Sequence, residues 1–349
     1  MTDEIFTDDA PTILDRSTIE RWATCPQQAH LIQCGCVSNV NRAMDVGSLV
    51  HACISRAIGN RRRLSISPPI MRECIETYAA ECPRPDVQPD VVAAVRKTWS
   101  LVDAICRQPD GRERSPDDLL RYDGGHGERS GQLATDMQVG GGVAVRITGE
   151  VDLLMSTASI EELDLRDWKS GWKHWTASDV AASFQFQFYA YLVLANYPGV
   201  NTVTVRVFMT RDGQSTRAVE FRRRDMHTIG ERINSAVLVY LAHHKAVAAV
   251  DVPAWPEPDK CGVCPCTLSC TMPSRPDADI AEDPEYFARR LIVLEAGAAK
   301  IRGALSKLVK ANGADLDFGD LKFGQNKPKG KARAVPCDLY TIGDKAGEE

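Results

Sequence analysis

The spacing of apolar residues separates a helical first part of the chain from a mixed second part. Ser17 fits a helix N-cap, and the pattern after it predicts a first helix that continues to Leu31. Apolar positions then recur every three to four residues, which predicts further helices over 45–57, 69–82 and 90–107. We therefore expect the first third of the chain to be mainly helical.

The second part alternates between strand-like and helix-like patterns. A segment rich in Asp, Gly, Arg and Pro at 108–131 predicts a loop before it. The patterns that follow predict strands over 142–156, 160–169, 203–209 and 217–221, and helices over 178–196, 225–247 and 283–311. Strands interleaved with helices predict an α/β core.

These patterns predict five consecutive regions. They are a disordered segment at 1–12, an N-terminal helical region at 13–130 with Cys25 and His51, an α/β core at 131–250, a cysteine loop at 251–280, and a C-terminal helix with a basic tail at 281–349.

Composition limits the class of protein. The 349 residues are 44% hydrophobic and 26% charged, which is typical of a globular chain of about two domains. A net charge of −5 excludes a uniformly basic nucleic-acid-binding surface, although a local basic face remains compatible with it. No apolar run is long enough to predict a membrane span. The acidic N-terminal sequence lacks signal-peptide features, so we expect a cytoplasmic protein.

Twelve cysteines are unusual for a chain expected in a reducing compartment. Four of them fall within ten residues, at Cys261, Cys264, Cys266 and Cys270, in a segment rich in proline. Two residues between thiolates allow both to bind one metal ion or cluster, so this segment predicts a zinc or iron–sulfur site. The other cysteines are scattered, and Cys53, Cys74 and Cys106 fall in helical patterns, where a free thiol is usually a small buried side chain.

Two aspartates and a lysine lie at the ends of predicted strands. Alternation along a strand places Asp167 and Lys169 on one face and Trp168 on the other. Asp152, at the end of the preceding strand, could join Asp167 in binding a divalent cation. Taken alone, the pattern is also compatible with solvated charges at strand ends.

The surrounding motifs resemble those of a known family. G-E-V-D at 149–152, D-W-K-S-G at 167–171 and a helix containing Q-F-Q-F-Y at 185–189 follow in order. Upstream, G-S-L-V-H at 47–51 and Cys-Pro at 25–26 complete the set. This order resembles the RecB-type branch of the PD-(D/E)XK nuclease superfamily over about residues 13–275. It implies a restriction-endonuclease-like core, with a mixed central sheet flanked by helices.

The resemblance implies a role for each matching residue. Asp152, Asp167 and His51 would bind Mg²⁺ or Mn²⁺, together with the backbone carbonyl of Trp168. Lys169 would be the catalytic lysine. Gln185 and Tyr189 would orient the site or the DNA backbone, although Gln187 and Tyr191 repeat the same spacing and leave that register open.

One subgroup of this family binds a 4Fe–4S cluster through one N-terminal and three C-terminal cysteines. It includes the CRISPR-adaptation nucleases and the AddB subunit of a helicase–nuclease. The matching residues here are Cys25, Cys261, Cys264 and Cys270, which would form a structural iron–sulfur clasp. Zinc is the alternative for the same four thiolates.

The resemblance implies a metal-dependent DNA nuclease, most simply an exonuclease on single-stranded or end-resected DNA in recombination, repair or phage replication. A phage-encoded chain would act in the host cytoplasm. DNA is the expected partner, with a recombination or replication protein as a second, and no membrane is expected. The alternatives are a catalytically silent DNA-binding module, a structural subunit of a recombination complex and an RNA-directed nuclease. The sequence does not indicate an oligomeric state.

Overall fold

The chain divides into two compact units. In the computed structural model, the first comprises Met1–Thr24 and Ser38–Lys245, and the second comprises Cys25–Val37 and Ala246–Glu349. The structure describes residues 12–35, 42–108, 111–125, 130–171, 173–247, 251–270, 284–313, 316–317, 322–326 and 331–334. Of the segment expected to be disordered, residues 1–11 lie outside the described part, and Thr12 begins a strand.

The first predicted helix is in fact two helices. Helix α1 spans Arg16–Thr24 and α2 spans Pro26–Gln33, with Cys25 between them in an extended conformation. Proline is favoured at the first position of a helix and breaks a helix interior, so Pro26 starts a new helix here. The prediction of Ser17 as N-cap was also wrong, because the carboxylate of Asp15 accepts the backbone N–H of Thr18 at 2.9 Å.

The first unit carries a helical layer that buries one continuous apolar cluster. Its fully buried members include Ile54, Ile58, Met71, Val91 and Ile105. The helices that supply them are α3 at Arg42–Leu64, α4 at Pro68–Ala80, α5 at Gln88–Val95 and α6 at Trp99–Cys106.

Strands of the first unit form two sheets. The first three-stranded sheet has the order β1–β4–β3, from Thr12–Asp15, Val143–Glu150 and Gln132–Val139. The six-stranded sheet has the order β2–β5–β6–β7–β8, with β9 also paired to β7. Its strands are β2 at Leu119–Tyr122, β5 at Leu153–Ser156, β6 at Glu162–Lys169, β7 at Thr202–Met209, β8 at Gln214–Ser215 and β9 at Val219–Arg222.

A helical crossover joins the central strands. Strands β6 and β7 are parallel, with Lys169 opposite Met209, whereas β5 and β6 are antiparallel. The crossover consists of α7 at Ala177–Ala182 and α8 at Phe184–Asn196, and α9 at Met226–His243 follows the last strand. Helices combined with mixed sheets confirm the predicted α/β fold class.

Side-chain alternation along β6 sends successive residues into two different cores. Leu165 packs in the cluster that α8 covers, whereas Trp168 packs in the cluster that α3 to α6 cover. Asp167 and Lys169 are two and four residues after Leu165, so alternation places them on the same face of β6 as Leu165. Gly149 permits the close approach of α8, since a Cβ there would lie 3.0 Å from Leu192 and 3.1 Å from Tyr189.

The second unit is built from helices and a small sheet. In addition to α2, it contains α10 at Pro258–Val263 and α11 at Pro284–Asn312, which pack against each other. Strands β10 at Leu316–Asp317, β11 at Lys322–Asn326 and β12 at Lys331–Ala334 form an antiparallel sheet. Parts of the expected basic tail, in β11 and β12, therefore form strands. Within the described residues, no helix is both apolar enough and long enough to cross a bilayer.

Candidate active site and thiol cluster

Three side chains of the first unit meet in a group suited to a metal ion. Ligand atoms of His51, Asp123 and Asp152 all lie within 4.8 Å of one another. His51 Nδ1 is 3.4 Å from Asp152 Oδ1. One imidazole and two carboxylates form a donor set that suits Mn²⁺ or Mg²⁺, so these residues fit a divalent cation.

Asp152 is held in place by the backbone around it. It lies in the short link between β4 and β5, where Oδ2 accepts the backbone N–H of Trp168 at 2.9 Å. The backbone N–H of Asp123, just after β2, donates to the carbonyl oxygen of Asp152 at 3.1 Å. Two neighbouring strands thus fix the carboxylate, and its Oδ1 faces His51. The backbone carbonyl of Trp168 stays a predicted ligand.

Asp123 was missed by the sequence analysis. It falls in the Asp- and Gly-rich segment predicted as a loop, and the structure places it directly after β2. The hydroxyl of Ser55 donates to its Oδ2 at 3.4 Å. Partial burial and a hydrogen bond with Asp123 raise the pKa of Glu150, so acidic groups crowd this edge of the sheet.

Asp167 is the most deeply buried carboxylate of the site, with 2% of its side chain exposed. Its Oδ1 lies 2.7 Å from Lys169 Nζ, and its Oδ2 accepts a hydrogen bond from Gln185 at 3.0 Å. Burial raises its pKa to about 6 and the nearby Asp152 adds to this, although Lys169 and His51 act in the opposite direction. Its carboxylate is thus engaged by Lys169 and Gln185, beside the group formed by the other three side chains.

The charge state of His51 depends on the same neighbours. Burial alone would lower its pKa, but the carboxylate of Asp152, with a contribution from Asp167, raises it above its ordinary value. A histidine must be neutral to bind a metal, so protons and a cation compete for this side chain.

The structure distinguishes the two registers left open on α8. Gln185 reaches Asp167, whereas Gln187 donates to the backbone of Ala181 and accepts from Arg232. Tyr189, 5% exposed, lies beside the guanidinium of Arg16, and burial raises the pKa of its phenol. Arg16, at the start of α1, is a second neighbour of the site that no sequence motif indicated.

The second unit brings five thiols to one small cavity. Its cysteines are Cys25, Cys261, Cys264, Cys266 and Cys270. The backbone N–H of Trp255 points at Cys25 Sγ at 3.5 Å. The hydroxyl of Thr267 contacts the carbonyl oxygens of Cys261 and Cys264 at 2.8 Å each, and Lys300 of α11 donates to that hydroxyl at 3.0 Å.

Cys266 is the buried thiol of this group. It is 1% exposed, and burial together with the neighbouring thiols raises its pKa to about 12. The thiol donors around this cavity fit a metal group.

Comparison with known proteins identifies the family. The sequence profile of the PD-(D/E)XK nuclease superfamily matches residues 16–271, about three quarters of the chain. The chain belongs to this superfamily. Its members are nucleases that act on DNA and use Mg²⁺ or Mn²⁺, and the His51, Asp123 and Asp152 group supplies a fitting donor set here.

Other comparisons are less informative. No curated protein matches the chain. A solved structure described as "Crystal structure of SSO0001" is similar over 76% of this chain and 88% of that chain, with 7% identity and a TM-score of 0.31. A TM-score this low supports no conclusion about the chain. The superfamily assignment therefore depends on the sequence profile.

Proposed function

We propose that the chain is a metal-dependent exonuclease that degrades single-stranded or end-resected DNA. The observation that carries this proposal is the convergence of a His–Asp–Asp donor group with the buried Asp167–Lys169 pair at one end of β6. The structure supplies both a place for a cation and an ammonium group beside it.

The chemistry follows from the positions of the side chains. Hydrolysis adds a water oxygen to the phosphorus and releases the 3′ oxygen, which takes up a proton. A bound divalent cation would activate the water and neutralise charge on the phosphate. Lys169, whose side chain is 24% exposed, can orient the water through Nζ and stabilise the negative charge that develops on the phosphoryl oxygens. Gln185 keeps Asp167 in position, and the Trp168 N–H does the same for Asp152.

The four-cysteine group is proposed to hold a structural 4Fe–4S cluster. Cys25, Cys261, Cys264 and Cys270 would be the ligands, and Cys266 a buried neighbour. The five thiols around one cavity and the N–H of Trp255 directed at Cys25 Sγ support a metal-bound thiolate group, and the resemblance of the cysteine pattern to the iron–sulfur subgroup favours a cluster over zinc. Such a cluster would link segments separated by 235 residues and so stabilise the second unit.

The test of activity uses end-labelled DNA. Single and double strands labelled at the 5′ or the 3′ end are incubated with Mg²⁺ or Mn²⁺, and the products are separated by length. We expect stepwise shortening from an end, with single strands degraded faster. Asp152→Ala and Lys169→Ala should abolish degradation while the circular dichroism spectrum is kept. Full activity in both variants would contradict the assignment of the site.

A further inference from the structure

A cavity of about 460 Å³ lies beside Asp123 in the first unit, along the exposed face of α3. We call it the α3 groove. Its wall includes Asp123 itself, so it borders the His51–Asp123–Asp152 group at that residue. The other polar and aromatic side chains that line it are Ser55, Arg56, Asn60, Arg63, Tyr78 and Tyr122.

Positive charge dominates the lining of the groove. Arg56 and Arg63 are both exposed, and neither forms an ion pair with any residue in the described part of the chain. Asp123 is the single carboxylate among the lining residues, and a cation bound to its group would neutralise it. Arg63 donates a hydrogen bond to Asn60 Oδ1 at 2.8 Å, which leaves its charge without a carboxylate partner. Two such arginines next to a metal group attract a polyanion.

Aromatic rings form the second component of the groove. The guanidinium of Arg56 stacks over the ring of Tyr78 at 3.8 Å, and the Tyr78 hydroxyl is hydrogen-bonded by Asn60. Tyr122 ends β2 immediately before Asp123, and its ring lies 3.5 Å from where a Cβ of Gly59 would be. A half-buried ring and a pre-stacked guanidinium are surfaces on which unpaired bases stack.

The groove has a length suited to a short stretch of strand. Arg56 and Arg63 are seven residues apart, so they lie on one face of α3 and are separated by about 10 Å along its axis. At about 3.4 Å per nucleotide, this span covers about three nucleotides of one strand. The two arginines are therefore spaced to contact separate phosphates of one chain that passes along the groove beside Asp123.

We propose that the α3 groove binds the unpaired strand of the DNA substrate next to the scissile phosphate, with Arg56 and Arg63 on phosphates and Tyr122 stacked on a base. This inference rests on the proposed nuclease function and adds the strand path and its specificity. Bases within a duplex already stack on their neighbours, so a groove that binds through ring stacking selects single strands.

The test measures binding without chemistry. A fluorescent single-stranded oligonucleotide is titrated with the full chain in EDTA, which prevents metal-dependent hydrolysis, at several salt concentrations. The variants are Arg56→Gln, Arg63→Gln and Tyr122→Leu. The control is Arg224→Gln, which makes the same charge change at a side chain that is 74% exposed. Arg224 follows β9, which pairs with the start of β7, whereas Lys169 pairs with the end of β7.

The two kinds of contact predict different results. Loss of one phosphate contact should reduce the slope of log K against log salt by about 0.7 and weaken binding about fivefold at 0.1 M salt. Tyr122→Leu should weaken binding about tenfold or more with the slope unchanged. Arg224→Gln should match the wild type, and a blunt duplex should bind more weakly than the single strand.

Each outcome decides the proposal. If both arginine variants bind like Arg224→Gln, or if a blunt duplex binds as tightly as the single strand, the groove does not bind the unpaired strand. Thermal unfolding of each variant controls for folding, and the exposed arginines keep the test decisive should Tyr122→Leu be unstable. Failure here with metal-dependent degradation intact would leave the nuclease assignment standing. Normal groove binding with no degradation under any condition would reject that assignment instead.

Discussion

Gly47 lies so close to Ser170 that a Cβ at position 47 would be 2.5 Å from Ser170 Oγ. Gly47 is one turn before His51 on α3, and Ser170 follows Lys169 at the end of β6. The glycine therefore allows the helix that carries His51 to approach the strand that carries Asp167. Two motifs that are far apart in the sequence meet at this contact.

This contact predicts a coupled pair of substitutions. Gly47→Ala should lower the free energy of unfolding by about 1–3 kcal/mol, because the new methyl group collides with Ser170. Helix propensity alone would favour alanine by about 1 kcal/mol, so a net loss identifies the collision. In a Ser170→Ala background, the same change should be neutral or stabilising. Urea unfolding of the four proteins measures this, and strictly additive effects would contradict the contact.

Asp123 should contribute to metal affinity. Asp123→Asn removes one carboxylate from the three-residue group and should weaken Mn²⁺ binding at least tenfold in calorimetric titrations. The matched control is Asp136→Asn on β3, whose side chain is 64% exposed and pairs with Arg146. Equal affinities for the two variants would remove Asp123 from the site.

Metal binding should weaken as the pH falls from 8 to 5. The pKa of Asp167 is raised to about 6 and that of His51 lies above its ordinary value, so acid protonates both groups. The cation must displace the proton on His51, which weakens binding about tenfold per pH unit below the pKa of that group, and a protonated Asp167 no longer attracts the cation from beside it. The Mn²⁺-induced rise in unfolding temperature, measured across this pH range, reports the effect.

In the metal-free protein, protonation of Asp167 has the opposite effect, because it stabilises the fold. Its folded-state pKa is above the unfolded value of about 4, so its protonated form favours folding at low pH. That contribution is lost as the pH rises from about 4 to about 6. An Asp167→Asn variant should not show this loss of stability. Its Mn²⁺ binding should still weaken at low pH through His51, but without the contribution of Asp167. Identical pH profiles for wild type and variant would contradict both statements.

Gln185 should act as a positioning residue. Gln185→Ala removes the hydrogen bond to Asp167 Oδ2 and should lower kcat/KM by about 10–100-fold, the usual effect of losing such a partner. The fall of kcat/KM on the acid side should also shift to higher pH, because the lost N–H donor stabilised the ionised carboxylate of Asp167. Gln187→Ala is the matched control on the same helix, since its side chain contacts Ala181 and Arg232 instead. A shift of similar size in the control would argue for a general effect on α8.

Cys25 should be required for the proposed cluster. After anaerobic purification, Cys25→Ser should contain much less iron per chain than the wild type and should unfold at a lower temperature. Cys34→Ser removes an exposed thiol from the same unit and should keep both properties. Stoichiometric zinc without iron in the wild type would replace the cluster with a zinc site.

The sequence predicted the residues of β6 well because alternation along a strand is a local property. Asp167 and Lys169 share one face and Trp168 packs on the other, as a period of two requires. The α/β class followed from the same local patterns. The break at Pro26 was also locally encoded, by a proline that favours the first turn of a helix, but an uninterrupted apolar pattern obscured it.

Asp123 shows what local patterns cannot provide. Its neighbours Gly124 and Gly125 and the preceding Tyr122 resemble an ordinary turn, and its role depends on the pairing of β2 with β5. The same holds for Arg16, which reaches Tyr189 only because α1 packs against α8. Contacts between segments far apart in the chain are set by tertiary packing, which one sequence does not display.

The composition of the second unit has a consequence for biosynthesis. Cys25 emerges from the ribosome before the thiols it joins, the first of which is 236 residues further along. At about 5–20 residues per second, that delay is roughly 10–50 s. During this interval, Cys25 is an unpartnered thiol on a nascent chain whose first unit can already begin to fold. Assembly of the thiol cluster is therefore a late step, which cannot be completed before Cys270 has been synthesised.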